Sequence, residues 1–320
     1  MILKKSPAKI FTETFIKLSV SLQTTLINQP LNYFTMKNLV SLLAMVICLA
    51  SCSSNAETST NTATNDNYVV VLDLSDRIIQ KPDQINIDTN AIRAVFEKFE
   101  KSVQKNIVVK SKDRFSLRII PQKQSSLPGN TFENSLSIDM GKYSAAEKLV
   151  KLNEFKASFT SHMGLLYQQA MLGNNNSDFS GVDMWQYFNE QINSDLDVHY
   201  NNKVLILTDG YFDFEDKKHG IHSQNQSTTT APLLDKMKGQ NWKQETDEKQ
   251  PGIIPVKLIV PAKWLVCGIQ PKANCKDLLE AEKLSYLWEQ WLKKSGGTTI
   301  QKPIINSSSD KVKSLIQNNL

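Results

Sequence analysis

The chain has 320 residues, 40% of them hydrophobic and 22% charged, a balance ordinary for a globular protein with a real core. Of the net charge of +5, Lys4, Lys5, Lys9, Lys17 and Lys37 against Glu13 place +4 within residues 1–51. The remainder of the chain is close to neutral, so the charge gives no ground for nucleic-acid binding by the folded part, and no nucleic-acid partner is expected.

Residues 1–35 match no targeting segment, and Met36 reads as the true start. Met36-Lys37-Asn38 is a positive opening to the apolar run 39–50, whose 12 residues fall short of the roughly 20 needed to span a bilayer. The run ends in Leu49-Ala50-Ser51-Cys52, which resembles a bacterial lipobox. Small residues suit the peptidase pocket, and the cysteine thiol is the nucleophile that receives the lipid. The resemblance implies a signal peptide over 36–51, a lipidated Cys52 and contact with a membrane through that anchor. Ser53, and not Asp, follows the cysteine, so the expected location is the cell envelope, at the outer membrane, on its periplasmic or its surface face.

Residues 53–67 carry no large apolar side chain, so with Cys52 they form a lipid-bearing tether over 52–67. As a coil it reaches on the order of 20 Å. One domain is expected over 68–320. It opens with Val69-Val70-Val71-Leu72, a continuous apolar run of the kind a strand covered on both faces requires.

Ile92, Val95, Phe96, Phe99 and Val103 recur at helical spacing within 85–104. Alternation predicts strands around Phe115–Ile119 and at 136–140. Helices are expected over 144–172 and 184–196, and a second fully buried strand over 204–207. A third strand is read at 253–260, begun irregularly by Pro255. Leu284, Leu287, Trp288, Trp291 and Leu292 form a helical stripe that Gly296-Gly297 stops. A strand at 298–304 and a helix at 309–318 close the chain, and the polar stretches 216–229 and 240–251 are read as surface loops. The alternation predicts an α/β fold, doubly wound, with a mostly parallel central sheet and helices on both faces. Past Cys52 only Cys267 and Cys275 remain; eight positions apart in an oxidising compartment, they are expected to form a disulfide.

In such a sheet ligands sit at the carboxyl ends of the central strands. The two most apolar strands run into Asp73-Leu74-Ser75-Asp76-Arg77 and into Thr208-Asp209-Gly210. Two carboxylates and a hydroxyl at one crevice suit a hard cation. Here the chain resembles the von Willebrand factor A family over about residues 68–318. That family's metal-ion-dependent adhesion site uses Asp-x-Ser-x-Ser after the first strand, a Thr on a middle loop and an Asp in a Thr-Asp-Gly-like turn. The resemblance implies Asp73, Ser75 and Asp209 as ligands of Mg²⁺ or another divalent cation.

Two positions depart from the family pattern. Arg77 stands at the second serine position, and a guanidinium ligates no metal. For the middle loop, Gly181-Val182-Asp183-Met184-Trp185 lies at suitable spacing, 27 positions from Val182 to Asp209. It puts Val182 where the Thr belongs, with Asp183 or Ser180 as the substitute ligand. Thr160-Ser161 is the other candidate. Arg77 either points inward, pairing with Asp209 or Asp73, or points outward, where it joins Tyr211 and Phe212 in a rim for a partner.

The leading functional expectation is a binding module, with no enzymatic activity, that presents this face to a protein partner whose acidic side chain completes the coordination. A haloacid-dehalogenase-type phosphohydrolase is the enzymatic alternative; it needs a second Asp where Ser75 stands. A metal-free structural subunit of an envelope complex is the third reading, favoured by Arg77 and Val182.

Overall fold

The computed structural model describes residues 65–81, 83–121, 127–172, 181–214, 220–223, 225–239, 241–306 and 308–320. The expected leader, Cys52, most of the tether and Ser180 lie outside the described residues. The strands are β1 (Asp66–Leu72), β2 (Arg114–Ile119), β3 (Ile138–Asp139), β4 (Asn201–Leu207), β5 (Gln226–Ser227), β6 (Gly252–Ile253), β7 (Ala262–Ile269), β8 (Thr299–Ile300) and β9 (Ile304–Ile305). The helices are α1 (Arg77–Gln80), α2 (Gln84–Lys105), α3 (Gly129–Ser135), α4 (Lys148–Leu172), α5 (Met184–Glu190), α6 (Ile192–Asp195), α7 (Ala231–Leu234), α8 (Trp242–Lys249), α9 (Glu280–Lys294) and α10 (Ser309–Asn319).

The main sheet runs β3-β2-β1-β4-β7-β8, with β9 also on β7; β5 and β6 pair separately. Every pairing in the main sheet is parallel except that of β2 with β3. The fold is thus mixed α/β around a mostly parallel sheet.

Side chains alternate between the two faces of a strand, and both faces of this sheet are apolar. Val70, Leu72, Leu205, Leu207 and Leu265 enter one core with Phe96 and Phe99 of α2, Met163 of α4 and Ile316 of α10. Val69, Val71, Val204, Ile206 and Trp264 enter the other with Phe188 of α5 and Trp288 and Trp291 of α9. Continuous Val/Leu/Ile runs at β1 and β4 reflect burial on both sides. Residues 61–320 form one compact unit that holds both cores. Among the described residues no helix is long and apolar enough to cross a membrane.

Several boundaries move. The strand expected at 253–260 reduces to β6, which pairs with β5 outside the main sheet. Pro255 has no N–H for a ladder, and the Ile254 carbonyl instead accepts the indoles of Trp185 and Trp291. The third buried strand is β7. The polar stretch 240–251 contains α8, and the helix expected at 184–196 divides into α5 and α6.

The expected disulfide is corrected: Cys267 and Cys275 are both free thiols. Cys267 is fixed in β7, opposite Leu207 and Ile304, with its side chain in the α2-side core. Cys275 lies in the loop before α9 and donates to Glu280 Oε2 at 2.6 Å. A strand locked between two neighbours cannot turn its Cβ toward that loop.

Candidate functional site

The chain leaves β1 toward β2 on one side, while β4 flanks β1 on the other, so a crevice opens at the carboxyl ends of β1 and β4. The two strands run in register to Leu72↔Leu207, and the residues just beyond each of them line one cleft of about 100 Å³. Asp73, Ser75, Asp76, Gly181, Val182, Asp209, Tyr211, Asp213 and Lys272 form its walls. That space holds a few waters, at about 30 Å³ each.

Local hydrogen bonds fix both acids. Asp73 Oδ1 accepts from Ser75 N at 2.8 Å, and Thr208 Oγ1 donates to Asp73 Oδ2 at 2.9 Å. Gly210 N donates to Thr208 Oγ1 at 3.1 Å, and Tyr211 N to Asp209 Oδ1 at 3.2 Å. Backbone bonds from Asp73 N to Leu207 O and from Gln270 N to Asp209 O tie the loops across β1, β4 and β7. Gly268 is required at its place: its φ is +99°, and a Cβ there would sit 2.9 Å from Thr208 O.

Burial and the mutual repulsion of two neighbouring carboxylates dominate the electrostatics. Burial, then the charge of Asp73, pushes Asp209 up to about 8, with Arg77 opposing. Burial also raises Asp73, against the pull of Arg77 and the bonds from Ser75 and Thr208. A cation placed there would relieve both effects by supplying counter-charge.

Of the sequence-predicted residues, the structure brings Asp73, Ser75 and Asp209 together. Asp183 does not line this cleft: it caps α5, its Oδ1 accepting from Gln186 N at 2.9 Å, and it lines a neighbouring cavity with Trp185, Phe212 and Phe214. A residue that caps its own helix N-terminus is pinned there. Val182 does reach the cleft, as an apolar wall.

Of the expected rim, Tyr211 lines the cleft, while Arg77 and Phe212 do not. Arg77 is fully buried and turned inward, but onto Asp88 of α2 rather than Asp209 or the Asp73 carboxylate: Nη1 lies 2.6 Å from Asp88 Oδ2, and Nη2 lies 2.9 Å from Oδ1. Its Nη1 also donates to the Asp73 carbonyl at 3.1 Å. Phe212 is buried against Trp288 and Trp291. Tyr211 is mostly buried, its hydroxyl donating to Glu280 and accepting from Lys272 N.

Sequence reasoning missed four participants. Asp76 and Asp213 add carboxylates to the cleft, and Lys272 brings its cation, 3.4 Å from Asp213 Oδ2. Thr208 was visible only as the first letter of the Thr-Asp-Gly turn. Asp213 accepts from Thr230 Oγ1 at 2.7 Å and from Ala231 N at 3.2 Å.

Among the described residues no three His, Cys, Asp or Glu side chains gather as a metal-ligand cluster. The cleft itself offers two buried carboxylates, Asp73 and Asp209, with the Ser75 hydroxyl and room for water. That fits Mg²⁺, which keeps several waters and takes one or two carboxylates, better than a cation needing an all-protein cage.

No family model matches the chain, and no curated protein does. Among solved structures it is similar to proximal thread matrix protein 1 from the mussel byssus (crystal form 2), with a TM-score of 0.32 and 8% identity. The match covers 80% of this chain and 47% of that one, so the chain spans about half of that protein's length.

Proposed function

We propose that this chain is a cell-envelope lipoprotein, anchored through Cys52 at the outer membrane. In this reading it presents a doubly wound domain of the von Willebrand factor A kind whose carboxyl-end cleft binds a protein partner through a divalent cation. It is a binding module rather than an enzyme. The observation that carries the reading is the meeting of Asp73 and Asp209, two buried carboxylates from adjacent central strands, in a water-sized cleft beside Ser75. The strand order β3-β2-β1-β4-β7-β8 supports the doubly wound assignment, being the order 3-2-1-4-5-6 once strands are numbered within the sheet. Asp73, Ser75 and Asp209 would hold the ion with waters, and the ion would offer an open position to a partner carboxylate. Asp76 and Asp213 add negative potential at the cleft.

Calorimetric titration of residues 53–320 with Mg²⁺, Mn²⁺ and Ca²⁺ tests this. One saturable site is expected, abolished in Asp209→Ala, with a higher Tm in Mg²⁺ than in EDTA. Absence of heat and an unchanged Tm would remove the cation.

One observation favours a second reading, a metal-free structural subunit. Arg77 is stitched to Asp88, and Asp209 is held protonated near neutral pH when no ion is bound. In that case Asp209→Asn is silent in partner capture, whereas cation-dependent binding loses it.

A further inference from the structure

Residue 65 leads into β1 at the amino end of the sheet, opposite the cleft. Asn65 is held at that end, with its carbonyl accepting from Asn201 N and its Oδ1 accepting from Lys112 N at 2.8 Å. Several loops converge there, because β2, β4 and β7 all begin on the side where β1 begins.

These loops carry apolar side chains in water. Ile107 (56% exposed) and Val109 (46%) precede β2, Val198 (66%) precedes β4, and Ile259 (62%) precedes β7. Leu149 and Val150 open α4, which the Lys148 ammonium ties to this same end through the Ser111 carbonyl at 2.6 Å. The other large exposed hydrophobics (Leu165, Met171, Ile221 and Leu278) do not share this end of the sheet. Singly exposed aliphatics need no explanation, but their gathering at one end does. Ile107 is also left-handed, with φ +58°; this conformation disfavours a β-branched residue, and here no burial offsets its cost.

Charge accompanies them. Lys105, Lys110, Lys112, Lys257 and Lys263 are exposed, and among the described residues they make no ion pair. The acids of the same end are already engaged: Asp66 with Lys203, Asp139 and Asp197 with Arg114, Asp195 with Arg118. Asp113 is enclosed by Ser111 and Asn106. Three carboxylate charges are left over: Asp113, Glu147 before α4 (bonded to Ser144) and one of the two on Arg114. The five exposed lysines outnumber them, so the balance of this end is positive.

We infer that the amino-end face of the sheet, with the loop around Ile107 and Val109 at its tip, docks on the anionic headgroups of a phospholipid bilayer. The tether feeds this face, which gives the bilayer as the occupant; this step rests on the reading of Cys52 as the lipidated residue. Aliphatics that dip into the headgroup region and lysines that meet lipid phosphates are the two components of interfacial binding. Docked in this way, the domain holds its cleft at the far end of β1, roughly 23 Å from the bilayer side for seven residues of strand, facing away from the membrane.

The test is sedimentation of residues 53–320, which contain the whole compact unit but no lipid, with vesicles. Partition onto vesicles of phosphatidylglycerol and phosphatidylcholine in equal parts should exceed that onto phosphatidylcholine alone by about tenfold, and salt should screen it. The double variants Lys105→Glu/Lys110→Glu and Ile107→Asp/Val109→Asp should each lose that gain. Equal partition onto both vesicles, no partition at all, or an undiminished signal in either variant would overturn the proposal. Magnesium titration of the same samples reads the cleft separately, and the intact mass of the native protein reads the lipid on Cys52, so failure of those readings is distinguished from failure of this one.

Discussion

Arg77 and Asp88 form a fully enclosed bidentate pair, with the guanidinium of α1 laid against the carboxylate of α2. The same carboxylate accepts from Gln84 Nε2 at 2.8 Å and Tyr167 Oη at 3.2 Å, and the guanidinium reaches back to the Asp73 carbonyl. Arg77 is thereby a strut under the loop that carries Asp73.

Removal of one partner strands a buried charge. Asp88→Ala is expected to lower unfolding free energy by about 3–5 kcal/mol. The double change Arg77→Met/Asp88→Leu, which leaves no orphan charge, should recover most of it. Urea denaturation of the three proteins checks this; equal loss in single and double variants would mean the pair is not the cause.

Asp209 gives a pH signature. Its folded-state pKa of about 8 lies above its ordinary 3.8, so the ion-free folded state retains a proton that the unfolded chain releases. Its contribution to stability is complete below about pH 4 and is lost as pH rises through about 8. Because Asp73 is raised alongside it, the two titrate as a pair. Asp209→Asn should therefore gain on the wild type steadily from pH 5 to pH 8 in EDTA, read as urea midpoints. In the wild type, Mg²⁺ affinity should climb over the same range, since the ion displaces that proton.

Gly181 is needed where the middle loop meets the wall after β4. A Cβ there would lie 2.0 Å from the Asp213 carbonyl oxygen, a backbone atom that cannot swing away. Gly181→Ala should cost about 1–3 kcal/mol and weaken cation binding by widening the cleft. Gly129→Ala, whose Cβ meets nothing within 4 Å, should be neutral or slightly stabilising. Thermal melts with and without Mg²⁺ compare the two.

The thiols distinguish the free-cysteine arrangement from a bridge. Burial, with the Asp88 charge nearby, pushes the Cys267 thiol far up and leaves it inert. Cys275 is partly accessible, its thiol raised by desolvation and by its bond to Glu280. Without reductant, iodoacetamide should label Cys275 slowly in the folded protein and Cys267 only after unfolding, each label adding to the intact mass. No labelling of either residue after unfolding would indicate a disulfide.

Much of the frame was legible in the sequence because hydrophobic periodicity is a local property. The runs at Val69–Leu72 and Val204–Leu207 identified the two central strands, and their terminal acids Asp73 and Asp209 marked the crevice. Lys263, exposed within an otherwise buried β7, broke the apolar run there, and the apolar residues after Ile253 drew the assignment too far upstream. The Cys267–Cys275 spacing was suggestive only as long as the strand holding Cys267 went unrecognised.

The partners of each site residue were not legible, for a different reason. Asp88, Tyr167, Asp213, Thr230 and Lys272 meet the site from elements far apart in the chain, and no local pattern encodes which will face which. By itself the sequence determined an α/β chain with both faces of its central strands buried and an acid at the end of each, since burial and strand period act on neighbouring residues. The tertiary structure alone decided that Arg77 turns inward to Asp88, that Asp183 caps α5, and that Asp76, Asp213 and Lys272 join the cleft. A buried charge must take whichever counter-charge the packing of distant elements brings within reach.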